Sequence, residues 1–107
     1  MPTMIFGYSP KPGVSAADFE RFVFEVDQPA TLALPSALSS RILRIEDAGA
    51  PFAYLEILEI TSFEDWERDS KRPEVQQIVA QWPTYGDMAN MKVYKGVQAF
   101  SAKSKKK

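Results

Sequence analysis

Apolar residues in this chain recur with two periods, and the change from one to the other marks the elements. Thr3 to Tyr8 is short, apolar and aromatic and runs into Ser9-Pro-Lys-Pro-Gly13, which predicts a strand ending in a loop. Ser15 then precedes Ala16, Ala17 and Asp18, a capping-box-like start with Asp in place of the usual Glu. Phe19, Phe22, Val23 and Val26 follow at i, i+3, i+4 and i+7, one face of a helix. Pro29 limits this helix, because a residue before proline, here Gln28, is steered away from helical angles. Residues 29–34 then read as a second short helix with proline at its first position, stopped by Pro35. Leu38–Ile45 and Phe52–Ile60 are strand-like, and the short loop 46–51 between them predicts an antiparallel hairpin. Thr61 to Trp66 has the form of a capped helix start. Pro73 opens a further helical segment with Val75, Ile78, Val79 and Trp82 on one face, and Pro83 ends it. Met91–Phe100 supplies a last strand.

The order is β-α-β-β-α-β, with helices near residues 15–34 and 62–82. A four-stranded antiparallel sheet with both helices on one face satisfies it, which is the ferredoxin-like α+β arrangement. One domain over residues 1–102 is expected, followed by a basic, disordered tail over 103–107. Alternation along the third strand puts Ala53, Leu55 and Ile57 on one side and Phe52, Tyr54, Glu56 and Leu58 on the other. The first set is expected to face the helices. The second is too apolar for a bare solvent face, so two copies are expected to pair through it as a homodimer, a barrel enclosing a pocket for a small hydrophobic or aromatic ligand.

Composition narrows the chemistry. The 107 residues contain no cysteine and no histidine. Thiolate and disulfide chemistry is thereby excluded, together with Ser-His-Asp machinery, histidine metal ligation and a histidine-held haem. Acid–base work falls to Asp, Glu, Tyr or Lys. No phosphate loop, dinucleotide fingerprint or carboxylate metal motif is present, so no cofactor is expected. Four of the 13 basic residues lie in Lys103–Lys107, leaving nine against 14 acidic ones elsewhere, a net of −5. An acidic body offers no basic face to nucleic acid. The N-terminus lacks the pattern of a secretory signal, no apolar run is long enough to cross a bilayer, and a cytoplasmic location with no membrane partner is expected.

Glu56 is the leading candidate for chemistry: a carboxylate between Tyr54 and Leu58 on an inward face is desolvated, which raises its pKa. The alternative is a structural ion pair with Arg41 or Arg44 on the adjoining strand, which lowers it. Asp27 either caps the helix beginning at Pro29 or stands at a pocket mouth. Arg41 and Arg44 are three apart on a strand, so only one of them can enter a pocket and clamp an anion. Tyr8, Tyr54 and Tyr85 are candidate ligand-binding hydroxyls, Tyr8 and Tyr85 because they adjoin loops. Trp66 and Trp82 read as core, and Glu59 as a solvated charge.

The stretch Gly13 to Pro29 continues through Leu34-Pro-Ser36 and Arg41-Ile-Leu-Arg44 to Phe52–Ile60. Together these resemble the RedY-like (HapK) family, a branch of the dimeric α+β barrel proteins. Val26-Asp-Gln-Pro29, Leu34-Pro-Ser36 and Tyr54-Leu-Glu56 carry most of the likeness, which extends over roughly residues 4–100. The resemblance implies a homodimer with a hydrophobic cavity, a role in bacterial specialised metabolism, and Asp27 and Glu56 as the matching site residues. Relatives in the wider superfamily include polyketide cyclases, cofactor-free monooxygenases and haem-degrading enzymes, several of which use a histidine that this chain lacks. The expected activity is a cofactor-independent cyclase, lyase or isomerase acting on an aromatic or polycyclic intermediate. A non-catalytic metabolite binder and a cofactor-free monooxygenase are the alternatives.

Overall fold

The computed structural model describes residues 2–106. Strands β1 (Thr3–Tyr8), β2 (Ala37–Arg44), β3 (Tyr54–Ile60) and β4 (Lys92–Val97) form one antiparallel sheet in the order β2-β3-β1-β4. Helix α1 (Ala16–Phe22), a π-helical turn (Val23–Asp27) and α2 (Gln28–Leu32) connect β1 to β2. Helices α3 (Phe63–Ser70), α4 (Pro73–Val79) and α5 (Trp82–Tyr85) connect β3 to β4. This is the ferredoxin-like arrangement expected from the element order, with β2 and β3 as the expected hairpin. Met1 and Lys107, the ends of the expected domain and tail, lie outside the described residues. Among the described residues no helix is long and apolar enough to cross a membrane.

Local chemistry sets the helix starts. Ser15 Oγ accepts the Asp18 N–H at 3.1 Å, and Ser62 Oγ accepts the Asp65 N–H at 3.0 Å, each satisfying a first-turn donor that has no partner within its helix. Of the three prolines expected to stop helices, Pro35 lies beyond the end of α2, whereas Pro29 and Pro83 sit within helical turns. Gln28, before Pro29, is helical (φ −63°, ψ −46°), and its N–H reaches back to the Val23 carbonyl. That five-residue reach is a π turn, whose wider ring gives the proline room where a regular turn would clash. Pro83 likewise sits in the first turn of α5, where no intrahelical donor is needed.

Residues paired across an antiparallel ladder share a face. Phe6 and Ile42 both stand opposite Glu56, and Tyr8 and Arg44 both stand opposite Tyr54. Along β3, Tyr54, Glu56, Leu58 and Ile60 are buried, while Leu55, Ile57 and Glu59 are half-buried. The buried set lies beneath the helices, in a core where Tyr8 and Tyr54 meet Phe19, Phe22, Val23 and Trp82. The expected assignment of faces is therefore reversed: Tyr54, Glu56 and Leu58 face the helices of their own protomer, and Leu55 and Ile57 face away. The aromatic cluster decides this, with the Phe19 ring centroid 5.2 Å from that of Tyr54 and the Trp82 centroid 5.0 Å from that of Tyr8. Phe52, expected beside Tyr54, lies on the other side. Its ring covers Gly7, where an added Cβ would come within 2.6 Å of it.

The outward face carries Ile5, Leu43, Leu55, Ile57 and Tyr94, with Arg41, Glu59 and Lys92 among them. Leu43 and Tyr94 are 39% and 50% exposed, so this face is both apolar and uncovered in the single chain.

Candidate functional site

A cavity of about 190 Å³ lies between the sheet and the helices of one chain. Its floor is Phe6 and Tyr8 of β1 with Glu56 and Leu58 of β3. Its walls come from Asp27, Ala30, Thr31 and Leu34 on one helical arm, and from Trp66, Val75, Ile78, Val79 and Trp82 on the other. Met88 and Met91 complete it. The segment carrying the two methionines is tied to the end of β1: the Lys11 N–H donates to the Tyr85 carbonyl at 2.8 Å, and the Asp87 N–H to the Ser9 carbonyl at 3.0 Å. This cavity is formed by one chain and holds Glu56 on the helix side, which corrects the expectation that Glu56 lines a space between two sheets. The correction follows from the reversed faces, since the carboxylate-bearing side of β3 is the one the helices cover.

Glu56 is buried and bears no ion pair among the described residues, so the alternative of pairing with Arg41 or Arg44 is not what the structure has. Two hydroxyls hold it instead. Tyr8 Oη donates to Oε1 at 2.9 Å and Ser40 Oγ to Oε2 at 2.8 Å. Gln28 Nε2 donates to Ser40 Oγ at 3.1 Å, which occupies that oxygen as an acceptor and leaves its proton directed at Glu56. Burial raises the pKa of Glu56; the nearby Asp27 carboxylate adds to the rise, while the Ser40 and Tyr8 hydroxyls oppose it. The Tyr8 phenol is pushed far up, first by burial and then by the Glu56 charge, so it remains a donor.

Asp27 ends the π turn and faces the same cavity. It makes no capping bond, so the capping alternative is not what the structure has. Its Oδ1 accepts the Trp82 Nε1–H at 3.1 Å. Burial raises its pKa and the Trp82 bond partly offsets the rise. The π turn matters here because it changes the rotation of the residues after it relative to α1, and such turns cluster at functional sites.

The structure brings together three of the expected site residues, Glu56, Asp27 and Tyr8, and leaves the other four outside the cavity. Arg41 stands opposite Ile57 on the outward face. Arg44 is on the helix side but is held at the surface by Glu20, with Nη2–Oε1 and Nε–Oε2 distances of 2.6 and 2.8 Å. Tyr54 donates to the same Glu20 at 2.5 Å, and Tyr85 stacks on Phe22 with ring centroids 4.6 Å apart. Arg44, then Tyr54, holds Glu20 below the usual carboxylate range. These three form a clip joining α1 to β2 and β3.

Sequence reasoning missed the supporting residues. Ser40 and Gln28 were not singled out, although Gln28 lies within Val26-Asp-Gln-Pro29. Trp82 and Trp66, read as core, line the cavity as well. Removing the Ser40 hydroxyl by Ser40→Ala is expected to move the Glu56 pKa further up, because it takes away the largest influence opposing burial. A carboxyl-carbon NMR titration of Glu56 measures this; an unchanged midpoint would show that the Gln28–Ser40 arrangement does not act on the carboxylate.

Such a domain, with a carboxylate-bearing apolar cavity under its helices and an apolar outer sheet face, shares its ferredoxin-like α+β fold with several solved structures. Solved structures with this fold include HapK from Hahella chejuensis, at TM-score 0.76 and 22% identity, covering 97% of this chain and 100% of that one. At3g17210 from Arabidopsis thaliana follows at 0.74 and 12%, covering 95% and 99%. SnoaB, a cofactor-independent oxygenase from Streptomyces nogalater, stands at 0.68 and 15%, covering 94% and 97%. This chain belongs to the HapK family, described as REDY-like protein HapK, which matches residues 2–99. No significant match is found among curated protein sequences.

Proposed function

We propose that the protein is a cofactor-independent enzyme of the cyclase, lyase or isomerase type, acting on a small aromatic intermediate of bacterial specialised metabolism or catabolism. One observation carries this reading: a carboxylate without a cationic partner among the described residues, buried in an apolar cavity and held by two hydroxyl donors. Glu56 is then the general base, its basicity raised by desolvation, and it takes a proton from an acidified C–H or heteroatom of the substrate. The donors from Tyr8 and Ser40 fix the direction of its lone pairs and stabilise its charge without discharging it. Asp27, turned toward the same space by the π turn, assists by orienting a polar group of the substrate. The apolar walls exclude water from the reacting intermediate.

The size of the cavity sharpens the expected substrate. An apolar cavity of about 150 Å³ suffices for benzene, so 190 Å³ suits one ring or a compact pair rather than a larger polycycle. Incubating the protein with aromatic candidates under air and under argon tests the reaction class. Conversion that persists without oxygen supports the proposal. Conversion that stops without oxygen supports a cofactor-free monooxygenase, a reading favoured by the likeness to SnoaB. Binding without conversion in either atmosphere leaves a metabolite binder.

The protein is further proposed to be a homodimer through its outward sheet face, since Ile5, Leu43, Leu55, Ile57 and Tyr94 form an uncovered apolar surface. Leu43→Lys combined with Tyr94→Lys alters two exposed positions and is expected to halve the sedimenting mass with little change in folding. A wild-type protein that sediments as a single subunit at micromolar concentration would remove the proposal.

A further inference from the structure

We propose that the cavity takes a one- or two-ring aromatic compound carrying a basic nitrogen, bound as its cation with its N–H directed at Asp27. The hydrogen-bond inventory of the cavity carries this. Of the four carboxylate oxygens there, Glu56 Oε1 and Oε2 accept from Tyr8 and Ser40, and Asp27 Oδ1 accepts from Trp82. Asp27 Oδ2 accepts no hydrogen bond among the described residues. The polar demand of the site is therefore for a donor. The Tyr8 hydroxyl and the Trp82 indole N–H, two donors otherwise available to an acceptor on a ligand, are already spent on the carboxylates. What remains in the lining is neutral, the Thr31 hydroxyl and the Trp66 indole N–H, and no Lys or Arg is among the lining residues.

Charge points the same way. Two carboxylates share one low-dielectric space with no cation among the described residues, and Arg44, on the helix side of the sheet, is taken by Glu20. A bound cation would relieve both carboxylates, whereas a carboxylate or phosphate ligand would add a third negative group with no partner. The rings of Phe6, Tyr8, Trp66 and Trp82 line the rest and favour a flat cation over their faces. This inference rests on the cavity being the ligand site, as in the proposed function, but not on any turnover.

Both tryptophans of the chain line the cavity, so intrinsic fluorescence reports binding. Benzylamine, benzyl alcohol and benzoate share one ring and differ in charge. Benzylamine at pH 7 is expected to bind at least about tenfold more tightly than benzyl alcohol, with benzoate weakest. Asp27→Asn is expected to erase the difference between the first two, chiefly by weakening benzylamine binding. Should that variant fail to fold, Glu56→Gln is expected to reduce the same preference. The inference is overturned if benzylamine does not bind, if benzoate binds as tightly, or if the cation preference survives both substitutions. A cation preference in a protein that converts none of its ligands would sink the catalytic reading and leave this one standing. Conversion of anionic aromatics with no such preference would do the reverse.

Discussion

Replacing Glu56 by glutamine is expected to abolish conversion of the substrate and, at neutral pH, to make the fold more stable. The catalytic effect is expected at about 10²–10⁴-fold, the range that a positioned general base contributes. The stability effect follows from the direction of the pKa shift. In the unfolded chain the group titrates near 4.5, and in the folded protein burial raises it. Between those two values the folded state holds more protons than the unfolded one, so stability falls as pH rises through the window. Above the window the loss is complete, because the folded protein carries a desolvated charge. The amide carries no charge, and its two polar atoms still fit: its oxygen accepts from the Ser40 hydroxyl, whose acceptor side Gln28 occupies, and its nitrogen donates to the Tyr8 oxygen, which can also accept. Thermal denaturation of both proteins across the window tests the argument. The variant should melt higher at pH 7, with the gap closing as pH falls below about 4.5. A variant less stable at every pH would show that the hydroxyl donors outweigh desolvation. Asp27, raised by burial in the same way, is expected to leave a residual slope of the same sign in the variant.

Trp82→Ala is expected to be the most damaging single truncation for stability. The ring is 7% exposed, and its centroid lies 5.0, 5.3 and 5.8 Å from those of Tyr8, Phe22 and Phe19, bridging the helices to the sheet. It is also wedged against the backbone at Gly86, where an added Cβ would come within 2.7 Å of it. Emptying such a site costs roughly 3–5 kcal/mol, a large share of the ~5–15 kcal/mol that holds a domain of ordinary stability together. Urea denaturation reads the loss as a fall in midpoint; a shift equivalent to less than about 1 kcal/mol would mean that the aromatic cluster is not the main support of the helices. Trp82→Phe separates packing from polarity. It keeps most of the ring volume but removes the N–H on Asp27 Oδ1, so the Asp27 pKa should rise further.

What the sequence determined by itself was whatever depends on neighbours along the chain. Ser15 and Ser62 cap helices because their hydroxyls reach N–H groups three residues on. The hairpin of β2 and β3 follows from two apolar runs and a short loop, and the period-two alternation of Tyr54, Glu56 and Leu58 placed these residues on one face. The likeness around Val26-Asp-Gln-Pro29 and Tyr54-Leu-Glu56 pointed to the family, and with it to Asp27 and Glu56. Only the tertiary structure decided which face the helices cover. Tyr54 and Leu58 on one side of β3 and Leu55 and Ile57 on the other are nearly matched in apolar bulk, so alternation alone could not choose between them. The choice was made by Phe19, Phe22 and Trp82, residues distant in sequence whose rings close over Tyr8 and Tyr54. The same long-range packing set Ser40 against Glu56, 16 residues away, and gave Arg44 to Glu20, 24 residues away. No local pattern encodes such pairings, because their energy comes from burial that exists only once the helices are docked.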